Sequence, residues 1–255
     1  MLERAFLRPI AHGGLHDATS GVIENSAAAA AAAVAAGYGI ECDVRPAAGG
    51  VPVVFHDATT RRLMDEDRPV AGLTAEDLRR LRYRGADERI LRLDEVCEVI
   101  AGAVPLLVEV KGDWGAPDRA FLRQVAQTLG HYAGPVGVMS FEPAIVAALR
   151  ELAPGVPRGL VAGDYLAHGW AAGRLDATQR HKLTHLLEAP GAAPDFLAFH
   201  VEDLPSPVTR FVHEVLGWPL FAWTVRTPRH WEIVRDWADA AIFEGPVPAA
   251  DQSRT

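Results

Sequence analysis

Acidic residues near the ends of two apolar runs are the strongest chemical signal in this sequence. Glu41 and Asp43 are two residues apart, and Glu109 stands alone in a second, strongly apolar run. Side chains alternate between the faces of a strand, so Glu41 and Asp43 share a face while Cys42 points the other way. Three converging carboxylates would repel one another, and a hard cation with oxygen ligands relieves that repulsion. The pattern predicts Mg²⁺ or Ca²⁺ here. The alternative is that the first two carboxylates are solvated or paired with arginines.

Two basic side chains share strand faces with these carboxylates. Lys111 follows Glu109 by two residues, and Arg45 follows Asp43 by two residues. Positions two apart on a strand face the same side, so each cation is expected close to its acidic neighbour. We therefore predict Lys111 and Arg45 as candidate substrate-binding residues.

His12 and His56 each end an apolar run, where a pair of imidazoles can act as general acid and base near neutral pH. The alternative is that either one is a hydrogen-bonded histidine at a strand edge, because most of the ten histidines in the chain must have no catalytic role. Trp223 shares a strand face with Phe221. It is a candidate for the apolar wall of a substrate pocket, whereas core packing is the default for Phe221.

Short apolar runs alternate with helical stretches along the chain, as in the alanine-rich helix predicted at Ala27–Ala36. Strands that alternate with helices indicate a parallel sheet. There are eight strand and helix units if Val51–His56 is counted as an extension of the second strand, and eight units favour a TIM-type (β/α)₈ barrel. We predict one barrel domain over residues 1–255, with a small insertion after the second strand at residues 57–92.

Composition excludes several other classes of protein. The 255 residues are 49% hydrophobic and carry a net charge of −8, which disfavours a nucleic-acid binder. There is no dinucleotide fingerprint, Walker-type loop or nucleophile elbow. Two cysteines form no disulfide framework, and the first ten residues lack a long apolar run. We expect a cytoplasmic protein without a membrane span that acts on a small molecule. Its oligomeric state stays open.

Several short motifs stand in an order that is more specific than any one of them. They are Ala11-His12-Gly13-Gly14, Glu24-Asn25-Ser26, Ile40-Glu41-Cys42-Asp43-Val44, Val51-Pro52-Val53-Val54-Phe55-His56-Asp57, Val108-Glu109-Val110-Lys111, Ser140-Phe141 and Ala222-Trp223-Thr224-Val225. In this order they resemble the glycerophosphodiester phosphodiesterase family, over nearly the whole chain. The resemblance implies a TIM barrel in which the three carboxylates bind a divalent cation. It also implies that the two histidines are the acid and the base, and that Lys111 helps to bind phosphate.

The sequence departs from the family pattern at two places. The family usually has His-Arg-Gly where this chain has His12-Gly13-Gly14. The arginine that would bind the phosphate is therefore missing from this position. The last strand usually ends in Thr-Asp-x-Pro, and here it ends in Phe243-Glu244-Gly245-Pro246.

The expected reaction is hydrolysis of a glycerophosphodiester to glycerol 3-phosphate and an alcohol, as part of lipid metabolism. One alternative is a catalytically weak barrel that binds a phosphate ligand. Another is a phosphodiesterase directed at lysophospholipids.

Overall fold

A closed ring of eight parallel strands is the frame of the protein. The computed structural model describes residues 4–171 and 173–246. Its strands are β1 (Ile10–Ala11), β2 (Gly39–Pro46), β3 (Pro52–Val54), β4 (Leu91–Arg92), β5 (Leu106–Val110), β6 (Val136–Ser140), β7 (Arg158–Ala162), β8 (Phe196–His200), β9 (Leu220–Val225) and β10 (Ala240–Phe243). All but β3 and β4 pair in parallel around the ring, and β1 closes it by pairing with both β10 and β2. The predicted TIM barrel is confirmed.

Helices alternate with the strands along the chain, and most of them cover the outside of the ring. They are α1 (Ala27–Ala36), α2 (Ala75–Arg80), α3 (Leu93–Ile100), α4 (Arg119–Gly130), α5 (Pro143–Leu152), α6 (Tyr165–His168), α7 (Ala177–Thr184), α8 (Ala189–Ala192), α9 (Pro207–Arg210) and α10 (Pro228–Trp237). Local sequence sets their ends. The Ser26 side chain caps α1 by accepting from the backbone N–H of Ala29, and Gly37 ends it in a left-handed conformation.

Strand alternation divides the core into two layers and also positions the site. Leu106, Val108 and Val110 of β5 pack outward against the helices. Leu107 instead fills the barrel interior. Glu109 has the same parity as Leu107 and lies one step nearer the C-terminal end of the strand. Apolar side chains thus fill the interior of the barrel below the C-terminal ends of the strands. Polar side chains line the mouth at those C-terminal ends, where the active sites of this fold are found.

A hairpin and a small subsidiary core follow the second barrel strand. β3 pairs antiparallel with β2, and β4 pairs antiparallel with β3. The predicted extension of the second strand therefore turns back along it and stays outside the ring of eight. Buried residues from this region, including Met64 and Tyr83, form a cluster of their own. We propose on this basis that residues 57–92 are an insertion in one barrel domain that covers residues 1–255. Residues 1–3, 172 and 247–255 of that domain lie outside the described residues. Among the described residues, no helix has the length and apolar character needed to span a membrane.

Candidate active site

Three buried carboxylates converge at the C-terminal mouth of the barrel. Asp43 on β2 is the register partner of Glu109 on β5, and Glu41 lies two residues before Asp43 on the same face. All three residues are buried, and one carboxylate oxygen from each lies within 4.8 Å of the others. Three acids on two neighbouring strands can therefore bind one small cation together.

Lys111 partly neutralises this cluster. Its Nζ lies 2.8 Å from Asp43 Oδ1 and 2.5 Å from Glu109 Oε1. At these distances the contacts are ion pairs, although neither oxygen has the geometry of an accepted hydrogen bond. Glu41 Oε1 is buried and has no hydrogen-bond partner among the described residues. The cluster thus contains three acidic side chains and one lysine, and one buried carboxylate oxygen lacks a partner. Such a site is suited to a divalent cation that prefers oxygen ligands.

Electrostatics within the cluster separate the three acids. Burial, followed by repulsion from Asp43 and Glu109, raises the pKa of Glu41 well above its ordinary value. Burial also raises the pKa of Glu109, against the opposing effect of Lys111. Burial alone would raise the pKa of Asp43 too, but the charges of Lys111 and the two site histidines hold it below its usual range. A cation bound beside Glu41 would oppose this shift, because nearby positive charge favours the ionised carboxylate.

Asn25 fixes the most acidic member of the cluster. Its Nδ2 donates to Asp43 Oδ2 at 2.9 Å, and its Oδ1 accepts from the Asp43 backbone N–H at 3.1 Å. The backbone of Asn25 has φ 59°, a left-handed conformation that asparagine tolerates better than most residues. Nearby, the Gly13 N–H donates to Glu41 Oε2 at 3.0 Å. The motif Glu24-Asn25-Ser26 drew attention to Asn25, but the sequence did not predict its contact with Asp43.

His12 lies beside the carboxylates at the end of β1. Its Nε2 is 3.9 Å from Glu41 Oε2, and its Nδ1 is 3.6 Å from Glu244 Oε2. Burial lowers the pKa of His12, although the charges of Asp43 and Glu244 act against this shift. Arg226 donates to Glu244 Oε2 at 2.6 Å and holds that carboxylate in place. The carboxylate after the last strand therefore faces His12, a contact that sequence analysis did not anticipate.

A series of charged side chains contacts His56 and holds its ring in place. Its Nδ1 lies 2.8 Å from Asp57 Oδ1, and Arg62 Nε donates to Asp57 Oδ2 at 2.6 Å. The same guanidinium binds both oxygens of the Glu24 carboxylate, at 2.5 and 2.8 Å. Arg45 Nε donates to the backbone carbonyl of His56 at 2.7 Å. These contacts fix both the ring and the main chain of His56, which is itself partly exposed.

A cavity of about 560 Å³ opens beside these groups. Arg45, His56 and Lys111 form its polar wall, together with Glu109. The apolar wall contains Trp223, whose ring centroid lies 5.2 Å from that of Phe141 and 5.3 Å from that of Trp170. All eight predicted site residues therefore lie at this mouth. Phe221, by contrast, is fully buried in the barrel interior.

The protein is a (β/α)₈ barrel with acidic, basic and imidazole groups at its mouth. Proteins of this class can bind a cation and an anionic substrate at that mouth. The model of the Glycerophosphoryl diester phosphodiesterase family matches residues 12–244, and the chain belongs to that family. Glycerophosphodiester phosphodiesterase 1 from rat and from human are each 33% identical to it over 153 residues. Each match covers 56% of this chain and 45% of the relative, so the chain spans under half the length of these curated relatives.

Solved structures share the fold over most of their length. An Oleispira antarctica phosphodiesterase in complex with the product sn-glycerol-3-phosphate aligns with a TM-score of 0.74 and 20% identity, covering 92% of both chains. A glycerophosphodiester phosphodiesterase from Parabacteroides distasonis aligns with a TM-score of 0.72 and 22% identity, again over 92% of both chains. At these identities the likeness establishes the fold.

Proposed function

We propose that this protein hydrolyses a glycerophosphodiester to glycerol 3-phosphate and an alcohol. The main support for this proposal is that three buried carboxylates, Lys111 and two histidines converge beside one cavity at the barrel mouth. Family membership supports the proposal, as does the glycerol phosphate product bound by the structural neighbour from Oleispira antarctica.

Glu41, Asp43 and Glu109 would hold the divalent cation, and their all-oxygen donor set suits Mg²⁺ or Ca²⁺. Such a cation, when bound, stabilises negative charge that develops on a phosphate oxygen and lowers the pKa of a nearby hydroxyl. Lys111 lies against this cluster and would neutralise the substrate phosphate. Arg45 lines the same cavity and would supply a second positive charge.

His12 and His56 would transfer the protons. One imidazole removes a proton from the nucleophile, and the other protonates the leaving alcohol. Glu244 lies 3.6 Å from His12 Nδ1 and Asp57 lies 2.8 Å from His56 Nδ1, and these carboxylates would hold the two rings in place. Trp223 would form the apolar wall against which the alcohol lies.

A second candidate is a barrel that binds a phosphate ligand with little turnover. Gly13 favours it, because the family usually has a phosphate-binding arginine at this position. The similar proteins favour neither this alternative nor a phosphodiesterase directed at lysophospholipids. We also propose a cytoplasmic role in lipid metabolism, supported by two free cysteines that suit a reducing compartment. The net charge of −8 supports a small-molecule substrate rather than a nucleic acid.

A panel of glycerophosphodiesters tests the proposal directly. The purified chain is treated with a chelator and assayed for release of glycerol 3-phosphate, alone and with Mg²⁺ or Ca²⁺. We expect turnover only with a divalent ion. Full turnover without metal would contradict the mechanism. Metal-dependent binding of the substrate without product release would establish the binding barrel instead.

A further inference from the structure

A second set of potential metal ligands lies at the barrel mouth, separate from the three carboxylates. His168 ends α6, His200 ends β8, and Asp203 lies in the short 3-10 helix Val201–Asp203. One ligand atom from each residue lies within 4.8 Å of the others. The proposed hydrolysis assigns no role to these three residues.

The spacing within this set approaches that of a coordinated ion. Asp203 Oδ1 lies 2.9 Å from His168 Nε2, and Asp203 Oδ2 lies 3.3 Å from His200 Nδ1. Tetrahedral zinc has bonds of about 2.0–2.2 Å to nitrogen and oxygen, which separates its ligand atoms by roughly 3.3–3.6 Å. Small side-chain movements would therefore bring the three residues into coordination distance of one ion.

His200 presents an unsatisfied nitrogen to this set. Its Nδ1 is buried and makes no hydrogen bond to any described residue, although Asp203 lies within ion-pairing distance. A buried polar atom without a partner is unfavourable, and a bound cation would satisfy it.

Neighbouring groups hold the ligands in place. The Asp164 backbone N–H donates to Asp203 Oδ2 at 2.8 Å and orients the carboxylate. The His168 ring stacks on Trp170 with centroids 4.5 Å apart, and Trp170 in turn lies 5.3 Å from Trp223 in the cavity wall. An ion at this site would tie α6 to the end of β8 and fix the Trp170 side of the cavity.

We propose that His168, His200 and Asp203 form a site for Zn²⁺ or a similar transition-metal ion. Two imidazoles and one carboxylate suit such an ion, whereas the all-oxygen set of the active site suits Mg²⁺ or Ca²⁺. The proposal does not depend on the phosphodiesterase reaction.

Metal titrations of the full chain test this site. The protein is stripped with a chelator, saturated with Mg²⁺ and titrated with Zn²⁺ by calorimetry, and then with Co²⁺ by visible absorption. We expect one Zn²⁺ per chain and the intense absorption of tetrahedral Co²⁺. Asp203→Asn and His168→Ala should each weaken Zn²⁺ binding more than about 100-fold, because losing even an outer-shell partner costs roughly 10–100-fold.

Two control variants separate this site from other ligands. His185→Ala removes one ring of a histidine pair on and just after α7, whose centroids are 4.4 Å apart, and should keep the parent Zn²⁺ affinity. Glu109→Gln alters the active-site carboxylates and should keep it too. The proposal is wrong if the parent binds no Zn²⁺ under Mg²⁺ saturation, or if either control abolishes binding. It is also wrong if His168→Ala, a change at a partly exposed side chain, leaves the affinity unchanged. That variant decides the matter if Asp203→Asn does not fold.

Discussion

Asp43 on β2 and Glu109 on β5 stand side by side, because the two parallel strands pair these residues in register. Adjacent strands are about 4.8 Å apart, so the two carboxylates lie close enough to share a positive charge. Lys111 already supplies one such charge. The buried Glu41 beside them leaves the cluster acidic, and this excess of acid is the physical reason to expect a divalent cation.

Replacing Glu109 with glutamine should weaken binding of the divalent ion by at least about tenfold, which is the lower end of losses seen for outer-shell partners. The change removes one ligand charge and keeps the size of the side chain. Calorimetric titration with Mg²⁺ and Ca²⁺ measures it. Glu142→Gln is the matched control, because Glu142 is a buried acid of the same cavity that accepts from the Trp114 N–H instead. Equal affinities in the two variants would remove Glu109 from the metal site.

His12→Ala and His56→Ala should each lower kcat by roughly 10²–10⁴-fold, as expected for loss of a general acid or base. Steady-state kinetics on a glycerophosphodiester measure the loss. The double variant should lose less than the product of the two single losses if the rings act as one unit. His131→Ala, at an exposed position after α4, is the control and should retain the parent rate. A near-normal rate in either site variant would show that its histidine is structural.

Asp57→Asn should lower kcat by less than the loss of His56 itself, because Asp57 orients that ring from a distance of 2.8 Å. We expect roughly 10-fold, below the 10²–10⁴ range of a lost acid or base. KM should change little, since Asp57 is not among the residues that line the cavity. Asp65→Asn serves as the control, because its exposed carboxylate pairs with Arg84 in the same region and not with His56. Identical kinetics in the two variants would argue against the positioning role.

Gly13→Arg should lower activity, although it restores the residue typical of the family. Gly13 has φ +62°, and an added Cβ would lie 3.3 Å from Glu24 Cβ. A left-handed conformation costs an L-residue about 1–2 kcal/mol, which urea unfolding would detect. Gly21→Arg is the matched control: its φ is +77° with nothing within 4 Å, so it should lose stability but keep activity.

Arg45→Ala should lower kcat/KM about ten- to hundredfold, the equivalent of one charge-assisted hydrogen bond of about 1.5–3 kcal/mol. Arg45 lines the cavity and would replace the missing family arginine. Arg45→Lys keeps the charge and should recover part of the loss. If Gly13→Arg gains activity while Arg45→Ala is silent, compensation by Arg45 is wrong, and the protein is better described as a weak enzyme or a binder.

The barrel and the strand positions of its acidic residues could be predicted from the sequence alone. Period-two alternation already assigns Glu41 and Asp43 to one face of β2, and Glu109 and Lys111 to one side of the strand run that contains β5, because a side chain's face depends only on its position along the strand. Capping residues likewise predict the start and end of α1, since each acts on backbone groups within one turn.

Contacts between distant segments could be decided only by the tertiary structure. Asn25 reaches Asp43 because the loop before α1 folds over the end of β2, and Glu244 reaches His12 because β10 closes the ring against β1. The grouping of His168, His200 and Asp203 depends in the same way on how the segment after β7, which contains α6, packs beside the end of β8. Local periodicity carries no information about such pairings, because they are set by the register and closure of the barrel as a whole.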